Sequence, residues 1–346
     1  MIRNVALTSR NWRGNRKPPS CSVVNQMSAA LGRAEREASF MPANPSAERA
    51  AGGMVKRSLA LVYALSLVVA FLMGVVSVTG LTLAAGLYGA DPQPASGVTT
   101  STAGIVLPGF RAHDAFNLVV VVPLLLATPW LARRGALIGL LLWPGGLFYV
   151  LYTYTLYLVG APFGPLFLVY VLLVTLSAYT IIGLIASIDG RAVRARLIGM
   201  VPARTIGLIL VGLALLTLGQ DAGGAVATAL GGGSTAEPLP RQAWTADLAI
   251  EVPAMLIGGV LLWRRAGLGY LTGAGLLLQF GLTPLALAAI LALQPWLSGS
   301  QGDGATVTGL LIFAGVAFAP LAFFVRPAAR RNTTAALGLE GGAGHE

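Results

Sequence analysis

The feature that most constrains this chain is a series of long apolar stretches. A helix crosses the hydrocarbon core of a bilayer with about 20 consecutive apolar residues, and eight stretches of the 346-residue sequence meet this description. They cover residues 57–82, 114–132, 135–159, 165–187, 204–219, 247–263, 268–293 and 307–325. Only 10% of the residues are charged, whereas soluble domains carry about 25%. We therefore predict an all-α protein, a polytopic transmembrane helical bundle of about eight spans; the alternating pattern of a membrane β-barrel is absent.

The distribution of basic residues predicts the orientation of the bundle. The net charge is +10, which in a soluble protein would suggest nucleic-acid binding. From residue 54 onward, however, one set of loops holds only Arg111 and Arg241. The other set holds Lys56, Arg57, Arg133, Arg134, Arg191, Arg194, Arg196, Arg204, Arg264, Arg265, Arg326, Arg330 and Arg331. Because cytoplasmic loops collect Lys and Arg, we predict a protein of the plasma (inner) membrane with both termini cytoplasmic, whose partner is the lipid bilayer and not nucleic acid.

The two ends and the longer loops have a different composition from the spans. Residues 1–53 are rich in Ser, Asn, Arg and Pro, so we predict a disordered tail, and Met54 is a candidate for the true start because a signal-anchor pattern begins there. Residues 54–326 form the predicted transmembrane domain, and 327–346 a second disordered tail. The outer loops 89–112 and 220–246 are predicted to be irregular. The basic segment 189–203 is expected to lie along the anionic inner leaflet.

Two segments suggest an internal duplication. DAFNLVVVVPLLLATPWLARRG, from Asp114, and DLAIEVPAMLIGGVLLWRRAG, from Asp247, each contain an early proline and a later arginine pair. A four-plus-four duplication would relate the halves by an axis along the membrane normal, as in parallel-repeat transporters. The positive-inside rule and the frequency of proline in membrane helices could produce the same pattern, and the spacings fall out of step, so both explanations stay open.

Acidic residues within the spans mark a candidate site. An ionisable group at the centre of a span costs about 2.5–3.5 kcal/mol on insertion scales, so such groups usually face protein or water. Of thirteen acidic residues, only three lie at or inside predicted spans, all near the outer surface. The third span adds tyrosines for which we favour inward hydrogen bonds to Glu251 or Asp114. We predict one polar pocket, open to the extracytoplasmic side, whose ligand-binding residues are Asp114, Asn117, Tyr149, Tyr152, Asp247 and Glu251.

Each of these residues also has a simpler interpretation. Asp114 and Asp247 could be acids in a first helical turn, where the helix dipole favours negative charge. Tyr154 and Tyr157 could belong to an interfacial aromatic belt. His113 is more typical of an interfacial residue than of a metal ligand. Glu251 is the hardest to explain in this way because it lies a full turn inside its span.

Familiar signatures of enzymes and cofactor sites are absent from the sequence. It contains no HExxH, GxSxG or phosphate-binding GxxxxGK[ST] pattern. A single cysteine, Cys21, excludes an internal disulfide and a thiolate metal cluster. We therefore predict no metal and no cofactor, and leave open whether the protein is an enzyme.

The stretch RGALIGLLLWPGGLFYVLYTYTLYLVGAPFGPLFLVYVLLVTLS, with DLAIEVPAMLIGGVLLWRRAGLGY further on, resembles a family of uncharacterised bacterial multispanning membrane proteins. The likeness covers roughly residues 57–295. It implies a membrane protein but no activity, because none is assigned to that family.

Four functions are compatible with the sequence. The first is a membrane protein that binds a small ligand, a lipid head group or a cation in the outer pocket. The second is a proton-coupled secondary transporter, for which Glu251 would be the proton-linked group. The third is a membrane-embedded enzyme acting on a lipid-linked substrate with Asp247 and Glu251 as acid and base. The fourth is a structural partner of another membrane protein; the oligomeric state is left open.

Overall fold

Helices make up almost all of the described chain. The computed structural model describes residues 55, 59–87, 109–160, 164–231, 243–298 and 303–340, and this part of the chain is 91% helical without strands. Its nine helices are α1 (Ala60–Leu87), α2 (Gly109–Arg133), α3 (Leu137–Gly160), α4 (Phe167–Ser187), α5 (Gly190–Leu197), α6 (Ala203–Ala229), α7 (Ala243–Trp263), α8 (Gly267–Ser298) and α9 (Gly304–Glu340). Eight of them are long and apolar enough to cross a membrane, which confirms the predicted fold class.

The helices differ from the predicted segments at three places. α6 continues to Ala229, ten residues into the stretch predicted to be an irregular outer loop. The short helix α5 lies in the basic segment 189–203. α9 runs through Pro327 to Glu340, where we had predicted a disordered tail; the Ala, Arg and Leu residues of this stretch favour a helix. The predicted tail 1–53 and most of the loop 89–112 lie outside the described residues.

Two helices occupy the centre of the bundle. Buried residues make up 78% of the membrane-crossing window of α3 and 56% of that of α8, against 28% in α4, α6 and α9. The central pair cross at two glycines, because a Cβ atom at Gly145 would lie only 2.5 Å from the carbonyl oxygen of Gly275. Small residues let membrane helices approach this closely. The remaining spans therefore pack around a glycine-mediated crossing.

The second and seventh helices share an unusual local geometry. Each contains a five-residue π-helical segment, Asn117–Val121 in α2 and Asp247–Glu251 in α7. In each, the amide of the next valine reaches back five residues, to the carbonyl of Asn117 or Asp247. A proline follows that valine, and its ring would clash with a carbonyl four residues back. The wider turn relieves this conflict, and π segments of this kind often occur at functional sites.

These matched features recur 130 positions apart along the chain. The π segments begin at 117 and 247, and the turns after α2 and α7 contain left-handed residues at 135 and 265. The crossing glycines are 145 and 275. This register pairs Asn117 with Asp247, whereas the comparison of sequences had paired Asp114 with Asp247.

The start of α9 provides a pH-dependent test of the fold. The Asp303 carboxylate accepts hydrogen bonds from the amides of Ala305 and Thr306, at 3.2 and 3.1 Å, and from the Thr306 hydroxyl. The hydrogen bonds from Thr306 are the main reason that the pKa of the Asp303 carboxyl lies below its ordinary value. A lowered folded-state pKa means that this stabilisation is present above the unfolded pKa and is lost as pH falls through the folded value. We expect the protection factor of the Thr306 amide against hydrogen exchange, relative to the unfolded chain at the same pH, to fall on acidification, and to be independent of pH in Asp303→Asn.

Candidate functional site

The six predicted site residues separate into two polar clusters. Both clusters begin at a π segment and extend to a central helix. We define the histidine cluster as His113, Asp114, Asn117, Tyr149 and Tyr157, and the carboxylate cluster as Tyr152, Asp221, Asp247, Glu251 and Gln279. The single pocket expected from the sequence is therefore divided between α2 and α3 on one side and α6, α7, α8 and α3 on the other.

A chain of hydrogen bonds runs through the histidine cluster. The Tyr149 hydroxyl donates to Asn117 Oδ1 at 3.2 Å and lies 3.1 Å from His113 Nε2. The other ring nitrogen, Nδ1, lies 3.4 Å from the Tyr157 hydroxyl, which also donates to Asp114 Oδ1 at 3.5 Å. Each tyrosine hydroxyl has one hydrogen, and a neutral imidazole has one N–H. With its proton on Nε2, the imidazole donates to Tyr149, and its Nδ1 then competes with Asp114 for the hydrogen of Tyr157.

Aromatic rings enclose the histidine cluster. The rings of Tyr154, Tyr157 and Tyr170 lie 5.3–5.7 Å apart between centroids, and the Phe110 ring lies 5.0 Å from that of Tyr157. Asp114 beneath them has no exposed surface. The carboxylate of α2 is thus held inside the protein and does not line an open pocket.

The carboxylate cluster is centred on Glu251. This side chain is 3% exposed, and its Oε1 atom accepts a hydrogen bond from Nε2 of Gln279 at 3.1 Å. The same Gln279 nitrogen contacts the Thr283 hydroxyl at 3.2 Å. One helical turn before Glu251 along α7, Tyr152 donates to Oδ1 of Asp247 at 2.6 Å. This hydrogen bond therefore connects α3 to Asp247 of α7.

A third carboxylate comes from α6. Asp221 lies within electrostatic range of Asp247 and Glu251, and it is partly buried. No described Lys or Arg forms an ion pair with Glu251 or Asp247. Three carboxyl groups thus share a region of low dielectric, where like charges repel strongly. A bound cation or protonation of the carboxyl groups relieves this repulsion.

The two clusters contain three buried polar atoms that lack a hydrogen bond within the described part of the chain. One is Nδ2 of Asn117 in the histidine cluster, and the others are Oε1 of Gln279 and Oδ2 of Asp221 in the carboxylate cluster. The side chains of Asn117 and Gln279 are fully buried. Because more than nine tenths of buried polar groups are satisfied in folded proteins, each of these atoms indicates a place for a bound molecule, which could be water.

Several predicted contacts differ from those found. We had expected Tyr149 and Tyr152 to bond with Glu251 or Asp114, but they bond with Asn117 and Asp247. Sequence reasoning also missed Asp221 and Gln279 as members of a site. Asp221 fell in a predicted loop, and the sequence carries no signal that brings α6 beside α7.

A groove lies elsewhere, on the outside of α1 and α2. It has a volume of about 620 Å³ and an almost wholly apolar lining that includes Phe71, Val75 and Leu126. Neither polar cluster contributes to this lining. The groove is suited to acyl chains of the surrounding lipid and is not the polar pocket predicted from the sequence.

Together, the eight apolar helices and the interior polar clusters define a multispanning helical membrane protein. The chain matches no protein-family model, and neither curated proteins nor solved structures give a match. Among the described residues, no group of three His, Cys, Asp or Glu side chains is arranged to hold a metal ion. The chemistry of the site must therefore be inferred from its own residues.

Proposed function

We propose that the protein binds a small organic cation at the carboxylate cluster, near the extracytoplasmic end of the bundle. The groups that would contact the ligand are the carboxylates of Asp221, Asp247 and Glu251 and the side-chain oxygen of Gln279. All of them accept hydrogen bonds. An ammonium group offers both positive charge and N–H donors, and charge-assisted bonds of this kind are roughly twice as strong as neutral ones.

The observation that carries the proposal is the buried side chain of Gln279. Its Nε2 group is engaged by Glu251 and Thr283, whereas its Oε1 atom has no donor among the described residues. Leaving a buried acceptor unsatisfied costs about 1–3 kcal/mol. A ligand N–H between Gln279 and Glu251 would remove this cost.

Charge balance supports the same ligand class. A buried carboxylate is stable when it is paired with a cation or is itself neutralised. The described structure gives Glu251 an amide partner but no cationic one. A bound cation would also reduce the repulsion between Glu251, Asp247 and Asp221, so ligand and cluster stabilise each other.

Native mass spectrometry of the full chain in mild detergent tests this proposal, with methylammonium as the probe and tetramethylammonium, which has no N–H donor, as its comparison. We expect wild type to retain methylammonium adducts in preference to tetramethylammonium adducts, and Glu251→Gln to lose them by about tenfold or more, because the amide keeps the shape but removes the charge. Asp114→Asn is the matched control. It removes one buried carboxylate at the corresponding end of α2 and leaves the carboxylate cluster intact.

Three results would contradict the proposed site. Wild type could show no methylammonium adduct. Adducts could persist in Glu251→Gln. They could also disappear from Asp114→Asn and not from Glu251→Gln, which would move the ligand to the histidine cluster.

A proton-coupled secondary transporter is the second candidate function, favoured by the two matched halves. The features that recur 130 positions apart would then reflect a four-plus-four duplication, an organisation known among parallel-repeat transporters. The bond from Tyr152 to Asp247 joins the halves, so the carboxylate cluster would lie at their interface. Substrate sites of repeat-built transporters occur at such interfaces.

Uptake into proteoliposomes distinguishes the two candidates. Methylammonium uptake that depends on an imposed pH gradient, and that is abolished in Glu251→Gln, would favour the transporter. Binding of the probe without uptake would favour a binding or sensing protein.

A further inference from the structure

A group of exposed arginines lies at the other end of α7, away from both polar clusters. Arg191 and Arg194 belong to α5, and Arg264 and Arg265 form the turn between α7 and α8. All four side chains are exposed. We call these four residues the arginine surface.

Two glycines in backbone contact bring these arginines together from distant parts of the sequence. A Cβ atom at Gly190 would lie 2.9 Å from the carbonyl carbon of Gly267, and one at Gly267 would lie 2.6 Å from that of Gly190. Arg191 follows the first glycine directly, and Arg265 precedes the second by two positions. The buried apolar side of α5 contacts α8 and fixes this arrangement.

The backbone at Arg265 has a conformation that is unusual for a residue with a side chain. Its φ angle of 55° is the one positive value for a non-glycine residue in the described segments. The matching turn after α2 has Gly135 at φ 77°. A left-handed conformation is unfavourable for residues with a Cβ atom, and such strain concentrates at functional sites.

The arginine surface lies at the level of the lipid head groups. Trp263, next to Arg264, is 45% exposed, and exposed tryptophans mark the boundary between membrane and water. Ile198, which follows α5, is also 45% exposed. Apolar side chains beside exposed arginines are suited to a surface where acyl chains and charged head groups meet.

The arginines of the turn after α2, which matches the turn after α7, have aromatic partners. There, the Arg133 guanidinium lies 4.5 Å from the centre of the Tyr63 ring, and that of Arg134 lies 3.6 Å from the Trp130 ring. No such ring contact engages the arginine surface within the described ranges. The nearby acid, Asp189, accepts a hydrogen bond from the amide of Arg191 at 2.9 Å and caps α5.

We propose that the arginine surface binds the phosphodiester head group of an anionic phospholipid, in the leaflet that the charge distribution assigns to the cytoplasm. Guanidinium groups form paired, charge-assisted hydrogen bonds with phosphate oxygens. Four of them around the Gly190–Gly267 contact give a local site, in contrast to a uniform excess of positive charge. The proposal does not depend on the cation site at the opposite end of α7.

The test is native mass spectrometry of the full chain, released from nanodiscs of equal parts phosphatidylcholine and phosphatidylglycerol. We expect retained lipid to be enriched in phosphatidylglycerol and the enrichment to fall about fivefold in the double variant Arg264→Gln with Arg265→Gln. The control is Arg133→Gln with Arg134→Gln, which removes the same charge from the matching turn and should leave the enrichment unchanged. An equal fall in both double variants, or no enrichment in wild type, would overturn the proposal.

Arg265→Gly separates lipid binding from folding. Glycine accepts the left-handed conformation without strain, so this variant should melt at the same temperature as wild type or higher, while retaining less phosphatidylglycerol. Undiminished retention in Arg265→Gly would overturn the assignment of the site.

Discussion

Replacing Gly145 with alanine is expected to destabilise the folded bundle by about 3 kcal/mol. The added Cβ atom would lie 2.5 Å from the carbonyl oxygen of Gly275 and 2.7 Å from its Cα atom. Both are backbone atoms of α8 and cannot rotate away as a side chain can. The two central helices would have to separate, and contacts along their length would weaken. Thermal unfolding in detergent, followed by circular dichroism, measures the loss.

The neighbouring glycine supplies the control. A Cβ atom at Gly146 would meet Cδ2 of Leu125 at 3.3 Å, which is the end of a flexible side chain. Alanine also favours a helix by about 1 kcal/mol relative to glycine, so Gly146→Ala should change stability little. Equal losses in the two variants would show that α3 and α8 do not cross at Gly145.

Removing the hydroxyl of Tyr149 should have the second largest effect on the free energy of unfolding. Tyr149 is 1% exposed and contacts both His113 and Asn117 through that hydroxyl. In Tyr149→Phe the Asn117 amide would have neither its oxygen nor its nitrogen paired inside the protein. Each unsatisfied buried group costs about 1–3 kcal/mol, so we expect a loss of about 2–3 kcal/mol in the free energy of unfolding.

Tyr154→Phe is the matched substitution on the same helix. Tyr154 is equally buried, but its hydroxyl makes no hydrogen bond within the described structure. Removing a buried polar atom that is not bonded should be neutral or slightly stabilising. A loss as large as that of Tyr149→Phe would contradict the hydrogen-bond network assigned to the histidine cluster.

The spans themselves could be predicted because the membrane imposes a simple rule. Each helix must be apolar for the thickness of the hydrocarbon core, so every span leaves a continuous signal in the sequence. Outside that core the signal stops. The last turns of α6, from Asp221 to Ala229, are polar or small, and nothing in their composition distinguishes a continued helix from a loop.

The division of the site into two clusters could not be predicted from periodicity. Helical spacing shows which residues share one face of one helix, and it correctly paired Asp247 with Glu251 and Asp114 with Asn117. It does not show which helix that face meets. α3 has neighbours around its whole circumference, so Tyr149 and Tyr152, only three positions apart, reach different helices.

The glycine crossing is a point about which α3 can tilt, and the hydrogen bond between Tyr152 and Asp247 restrains that tilt. Seven residues of α3 separate Gly145 from Tyr152, a lever of about 10 Å at 1.5 Å per residue. A rotation of α3 by roughly 15° against α7 and α8 about the crossing would move the tyrosine by about 3 Å on this lever. Such a movement would break the 2.6 Å hydrogen bond. A small tilt at the crossing would therefore open the carboxylate cluster, and a cation bound there as proposed would bias that tilt.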